Sequence, residues 1–504
     1  METRADQPVV KQRLIALAFA AVIPLLAGWR LDQPGIQADE VLFSSVLWEP
    51  VVPSPMVRVL GFRIPAMCFP YMGTVKSAIY AVLFRFVEPS NESARWPPIL
   101  LCALTVYLFC RLLQRLGEDR LAVLASAVLV CDATFVFKAR CDSGPVVLQW
   151  LLCVAGFYCW VRLRSWPWAL AAGFCWGLGL WDKVTFLWIL FGIGAGALAG
   201  LRIPWRAVPV AAFGFFLGAY PFLAHNVKTN WSSFRVEGTR GLTASEFRPK
   251  AEALWYTMNG RQLFGSMAMI DGPPSQVDNT VVRIGKFAGE PTSSLFAWLF
   301  AIGVLLGWRH RFYRFALVAF LAGFAAMALA AGGGNAPHHL GLLWPLPQLI
   351  VAMGLLAMPS LLARGALAVV LISQLLVVNQ HYSFLIRFGG DVAWTDAIGP
   401  LSERIRKDPS ASYRFLDWGV YDAAYLLTRG NRAMRVGIPD DTGDWTASVY
   451  VQRAEGSIFL SDDWKRFREK AAAKRLLIGE QERIADSFGR PTFVVFRLAP
   501  NSAQ

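Results

Sequence analysis

The feature that most constrains this chain is a succession of apolar runs, most of them long enough to cross about 30 Å of hydrocarbon as helices. They fall at 14–29, 96–113, 121–137, 145–161, 167–181, 184–201, 207–224, 291–307, 313–331, 339–358 and 365–382. A soluble fold of 504 residues has no room to hide so many apolar helices, and the charged fraction of 17% is below the usual level of about 25%. The expected fold class is a polytopic α-helical membrane protein with about 11 transmembrane helices. Twenty Trp and thirty-five Phe suit helices in hydrocarbon with aromatic ends at the interface. The first run follows Lys11 and Arg13 and has no small-residue cleavage site after it, so a retained helix is expected, not a removed signal peptide.

One stretch decides the topology. Gly73 to Val87 is apolar but interrupted by Lys76, Ser77 and Arg85. If it lies in the interface, the loops on the side of Lys11 and Arg13 hold Arg111, Arg115 and Arg120; Arg162 and Arg164; Arg202 and Arg206; Arg309, Arg311 and Arg314; and Arg364. If it spans, all of these fall outside, against the inward bias of Lys and Arg. The expectation is therefore an interfacial amphipathic helix, with Ile79, Val82, Leu83, Phe86 and Val87 toward lipid or protein, and an N-terminus inside. This topology also accounts for the net charge of +14 without nucleic acid.

The outward mass then comprises loops 30–95 and 225–290 and a charged tail. Two domains are expected: a membrane domain, 1–382, and a small extracytoplasmic α/β domain, 383–504. In the tail, strand-like runs at 413–416, 448–451, 475–478 and 492–496 alternate with helical stretches at 420–429 and 462–473. Eight scattered cysteines form no CxxC spacing; Cys68 and Cys141 are the one pair with any prospect of meeting outside. Sequons at Asn91 and Asn230 carry meaning only in a host that glycosylates.

Chemistry-bearing residues collect on the outward side. Asp39 and Glu40 begin the first loop; a carboxylate there suits proton transfer from a hydroxyl, although a helix cap fits as well. Asp142 lies in a very short loop before Pro145 and is open to the same two readings. Outward cations are few: Lys76, Arg140, Lys183 and the pair His338 and His339 after Gly332 to Asn335. They suit an anion such as phosphate, while Lys183 is also placed to pair with Asp182. P-loop, dinucleotide, HExxH and GxSxG motifs are absent. With no cytosolic domain to hold a soluble nucleotide donor, an activated group is expected to arrive on a lipid phosphate.

Asp39-Glu40 after the first helix, Lys76 in the interfacial helix, Asp142 in its short loop, Trp181-Asp182-Lys183 and the His-rich entry to a late span together resemble the GT-C glycosyltransferases, the protein mannosyltransferase and aminoarabinose transferase branch above all. The resemblance covers about residues 10 to 380. It implies inverting transfer of a sugar from a polyprenyl-phosphate donor to a lipid, glycan or protein acceptor at the outer face of a bacterial inner membrane. By the same resemblance Asp39 is the general base or acceptor-orienting group, with Glu40 the weaker choice, and Asp142 positions acceptor or donor. Lys76 and Lys183 contact phosphate, with Arg140, His338 and His339 as further candidates. The histidines replace the Arg or Tyr usual before that late span, and relatives differ in using a divalent metal. The competing expectation is a transporter or flippase of lipid-linked sugars, which needs an ionisable central pathway and usually repeats.

Overall fold

A computed structural model describes residues 7–501 apart from 49–53, 164, 236–242, 266, 268–274, 276, 335, 431–432 and 455–460. Arg164 and Asn335 thus lie outside the described residues. The first half of the chain carries α1 (Gln7–Ala27), α2 (Ala38–Ser45), α3 (Val75–Leu83), α4 (Asn91–Arg115), α5 (Asp119–Cys131), α6 (Ala133–Arg140), α7 (Val146–Val161), α8 (Trp166–Asp182), α9 (Phe186–Gly200) and α10 (Val208–Lys228). Two helices, α11 (Phe247–Met258) and α12 (Thr280–Phe287), follow in the long second loop. Then come α13 (Phe296–Leu306), α14 (Tyr313–Leu329), α15 (Pro337–Leu340), α16 (Leu346–Ala357) and α17 (Ser360–Phe388).

Every apolar run is helical. Among the described residues, Val10–Ala27, Asn91–Arg115, Trp205–Lys228 and Ser360–Phe388 are each long and apolar enough to cross a membrane. Two bent pairs join them when each is taken as one span. The first bends by 61° between α5 and α6, where Asp132 ends one helix and caps the next: its Oδ1 accepts from Phe135 N at 2.8 Å, and Oδ2 accepts from Gln348 Nε2 at 2.9 Å. The second bends by 47° around Trp344-Pro345, where proline cannot continue the hydrogen-bond ladder. α17 runs to Phe388, past the boundary expected at 382, and reaches about 44 Å at 1.5 Å per residue.

The bundle exposes Leu25, Phe191, Leu198, Trp298, Leu305 and Leu361 over 60% or more of their surface, an apolar belt that suits lipid. Inside, close backbone approach replaces a hydrophobic drive. Gly173 and Gly177 of α8 face Gly214 and Gly218 of α10, and a Cβ on any of the four would run into backbone of the other helix.

The polar groups gather at the two ends of the bundle. At one end Gln12 meets Asp119 and Arg111, Arg115 meets Tyr158, and His310 and Arg311 meet Glu118. The first loop leaves the opposite end. It holds two small hairpins, β1 (Met56–Val59) with β2 (Phe62–Pro65) and β3 (Met67–Phe69) with β4 (Met72–Gly73), then α3. With nine residues α3 is too short to span, and Val82, Phe86 and Val87 are exposed beside it while Lys76, Ser77 and Tyr80 are buried.

The tail forms α18 (Ile398–Lys407), β5 (Ser412–Phe415), α19 (Trp418–Leu427), β6 (Met434–Val436), β7 (Ser448–Arg453), α20 (Ser461–Ala473), β8 (Leu476–Ala485) and β9 (Pro491–Pro500). Its five strands pair in the order β6-β5-β7-β9-β8, parallel around β5 and antiparallel around β9. α18 and β6 had no clear sequence signal. The tail has no separate core on this side: Val41, Phe43 and Val46 of α2 and Tyr80 and Phe84 near α3 share one buried cluster with Leu401, Phe415, Ala423, Ala424 and Val451.

Candidate active site

Four of the residues singled out in sequence line one pocket of about 240 Å3: Asp39, Lys183, His338 and His339, together with Tyr71, Gly144, Thr185, Trp188, Gly332 and Gly333. Asp39 is exposed in the first turn of α2, where the helix dipole favours a carboxylate; the cap itself is Gln37, whose Oε1 accepts from Asp39 N at 2.9 Å. The Asp39 carbonyl accepts from Gly144 N at 3.4 Å, so the first two outward loops adjoin.

Lys183 enters from the α8–α9 turn. An isolated bridge between Met72 and Lys183, with Val184 N donating to Tyr71 O at 3.0 Å, ties this turn to β4. Among the described residues no carboxylate lies within ion-pair distance of Lys183, so the expected alternative pairing with Asp182 is not made. Burial disfavours its charge more than Asp39, Asp182 and Asp142 favour it, and its pKa is pushed down to about 8. The two imidazoles stand 4.2 Å apart, His339 lies edge-on to Trp188 at 5.7 Å, and His339 Nδ1 accepts from Gly334 N at 3.2 Å. A Cβ on Gly144, itself at φ +76°, would come within 2.7 Å of the His338 ring.

The other four expected site residues stand outside the pocket lining. Lys76 and Asp142, 1% and 0% exposed, form an ion pair of 2.8 Å. Asp142 Oδ1 also accepts from Val146 N and Val147 N at 3.0 and 3.2 Å, which satisfies the first two N–H groups of α7. Against the cost of burial, Asp142 and other nearby groups hold the Lys76 ammonium above its ordinary pKa. Any phosphate contact by Lys76 would compete with this bond.

Glu40 and Arg140, expected at the site, are both held in buried contacts away from the pocket. Glu40 points away from the pocket into Arg95, whose Nε and Nη2 reach its two oxygens at 2.7 and 3.0 Å. Arg95 also donates to the carbonyls of Leu31, Pro34 and Gly35. Arg140 is likewise buried, and its guanidinium donates to the carbonyls of Ala27, Trp29, Arg30 and Gln33 and to the Tyr382 hydroxyl. Both arginines fasten the chain between α1 and α2. Cys68 and Cys141 are separate buried thiols.

Sequence reading missed Tyr71, Thr185 and Trp188, which carry no motif; Asp182, noted only as a partner for Lys183, is fully buried at the end of α8 within electrostatic reach of Lys76. Among the described residues no group of three His, Cys, Asp or Glu is placed to hold a metal ion.

This architecture, an apolar helical bundle with a polar pocket lined from the first loop, the α8–α9 turn and the loop after α14, is shared with solved structures of glycosyl-transferring membrane proteins. Two solved structures of ArnT from Cupriavidus metallidurans share it at a TM-score of 0.54. The one bound to undecaprenyl phosphate is 12% identical and is matched over 99% of both chains; the apo form is 13% identical over 98% of both. An oligosaccharyltransferase from Archaeoglobus fulgidus, tethered with an acceptor peptide containing the NVT sequon, has a TM-score of 0.50 and 11% identity over 97% of this chain and 74% of its own. No protein-family model and no curated protein matches the chain.

Proposed function

We propose that this chain is an inverting glycosyltransferase that moves a sugar from a polyprenyl-phosphate donor to an acceptor hydroxyl at the outer face of a bacterial inner membrane. The observation that carries the reading is the pocket itself, with one exposed carboxylate, Asp39, in the same cavity as Lys183, His338 and His339. An acceptor hydroxyl loses its proton to Asp39 as its oxygen attacks the anomeric carbon from the side opposite the phosphate. The bond from that carbon to the phosphate oxygen breaks, and polyprenyl phosphate leaves with the electron pair. Lys183 and the two imidazoles take up the charge that grows on the leaving group, and one such donor contributes about 3 kcal/mol in a water-poor site. Lys76 and Asp142 act from behind the pocket by fixing α3 against α7.

The fold neighbour bound to undecaprenyl phosphate supports a lipid-phosphate donor. The arginine-rich opposite end supports an outward-facing pocket, since Lys and Arg favour the inner side. A transporter would need ionisable groups along a central path; here Asp132, deep in the bundle, is occupied as a helix cap. The test is to reconstitute the protein with a panel of radiolabelled polyprenyl-phosphate sugars and candidate acceptors. The wild type should move label from one donor to a new glycosidic product, and Asp39→Asn should lower the rate by about 10²- to 10⁴-fold with unchanged folding. Lipid-linked sugar crossing the bilayer without a new bond would overturn the reading in favour of transport.

A further inference from the structure

The pocket wall that carries the histidines begins with three consecutive glycines. Gly332, Gly333 and Gly334 follow two residues after the end of α14, with φ of +72° and +86° at the first and last. Three consecutive glycines have no side chains to hold them, so their position must be imposed from outside.

The clamp comes from α11, in a long loop that carries no recognisable motif. Lys250 is 1% exposed, and its ammonium donates to the carbonyls of Met327 (3.3 Å), Ala328 (3.4 Å) and Ala330, which include the last unsatisfied acceptors of α14. A cation there also matches the negative end of the helix dipole. Lys250 pairs with Glu246 at 2.8 Å, and the other Glu246 oxygen accepts from Gly332 N at 3.4 Å. Thr243 N adds a bond to Leu329 O at 2.7 Å. Beyond the clamp, Gly334 N donates to His339 Nδ1, which carries the constraint into the pocket.

We infer that Lys250, with Glu246, is a positioning residue for donor binding: it holds the glycine loop so that His338 and His339 face the phosphate. The inference rests on the glycosyl-transfer reading, and its mechanical half stands apart from it. Removing the ammonium takes a donor from three carbonyls, of which Met327 keeps Ala330 N, and leaves Glu246 without the ion pair that holds it at Gly332, so the loop should open locally while the apolar bundle stays intact.

The experiment uses full-length Lys250→Met, Lys250→Arg and Glu246→Gln in lipid nanodiscs. Backbone hydrogen exchange is followed at 331–339, and binding is titrated with undecaprenyl phosphate alone. Lys250→Met should raise exchange in that segment at least tenfold and weaken binding about tenfold, with exchange in α4 and α7 unchanged. Lys250→Arg should restore most of both. Glu246→Gln, at a 40% exposed position, should give a smaller change in the same direction and serves if Lys250→Met does not fold. Unchanged exchange at 331–339, or weakened binding only in proportion to exchange across the whole bundle, overturns the inference. A folded wild type that binds no undecaprenyl phosphate overturns the donor reading instead, and the exchange data still judge the clamp.

Discussion

Two adjacent carboxylates, Asp39 and Glu40, should fail in opposite ways. Glu40→Gln keeps the side-chain volume but leaves Arg95, which is fully buried, without its counter-charge. Removing one partner of a buried ion pair costs about 3–5 kcal/mol. Arg95 retains three backbone acceptors at 2.9, 2.7 and 3.2 Å, and glutamine retains one acceptor oxygen. The loss therefore belongs at the lower end, about 3 kcal/mol, or roughly a hundredfold in the folded-to-unfolded ratio. For a chain of this size that corresponds to a Tm lower by about 3 °C. Thermal unfolding of Glu40→Gln, Arg95→Gln and the double variant at one scan rate provides the assay. The double variant should be less destabilised than the sum of the two, by about 1–3 kcal/mol. Whatever folded Glu40→Gln remains should transfer sugar at near the wild-type rate per molecule. If it kept its Tm and lost transfer, Glu40 would be a catalytic residue and the reasoning from its buried pair would be wrong.

Two further outcomes follow from the pocket. Because burial lowers the Lys183 pKa to about 8, its ammonium is charged below that pH and neutral above it. Donor kcat/KM should thus fall as pH rises through about 8, and Lys183→Arg, which stays charged, should flatten that limb; an unchanged limb in the variant would assign the titration elsewhere. Gly144→Ala places a methyl at a positive φ against His338, so donor KM should rise at least tenfold with little change in acceptor KM, as measured by initial rates at saturating co-substrate.

The bundle was legible in the sequence because spanning segments announce themselves. Hydrocarbon forbids unpaired backbone, so an apolar run in a chain like this is expected to be helical; each run holds a helix, and among the described residues four, or six with the two bent pairs, are long and apolar enough to cross a membrane. The basic loops could be grouped in sequence for the same reason, since charge patterning is expected to follow the membrane and not the packing. Asp39, Lys183 and the two histidines could be picked out as titratable groups at loop entrances, and they line one pocket.

Their division of labour was decided by tertiary structure. Glu40 is Asp39's neighbour in sequence, yet the 100° turn per residue of α2 sends one carboxylate into a pocket and the other into Arg95. Arg140, an outward cation by position, is spent on carbonyls of the α1–α2 connection. Lys250 had no motif to mark it, because its role depends on where the end of α14 arrives 77 residues later. Hydropathy and charge are local properties and can be read along the chain. Which charged group is buried against which, and which is left facing a cavity, depends on contacts between distant segments and exists only once they have packed.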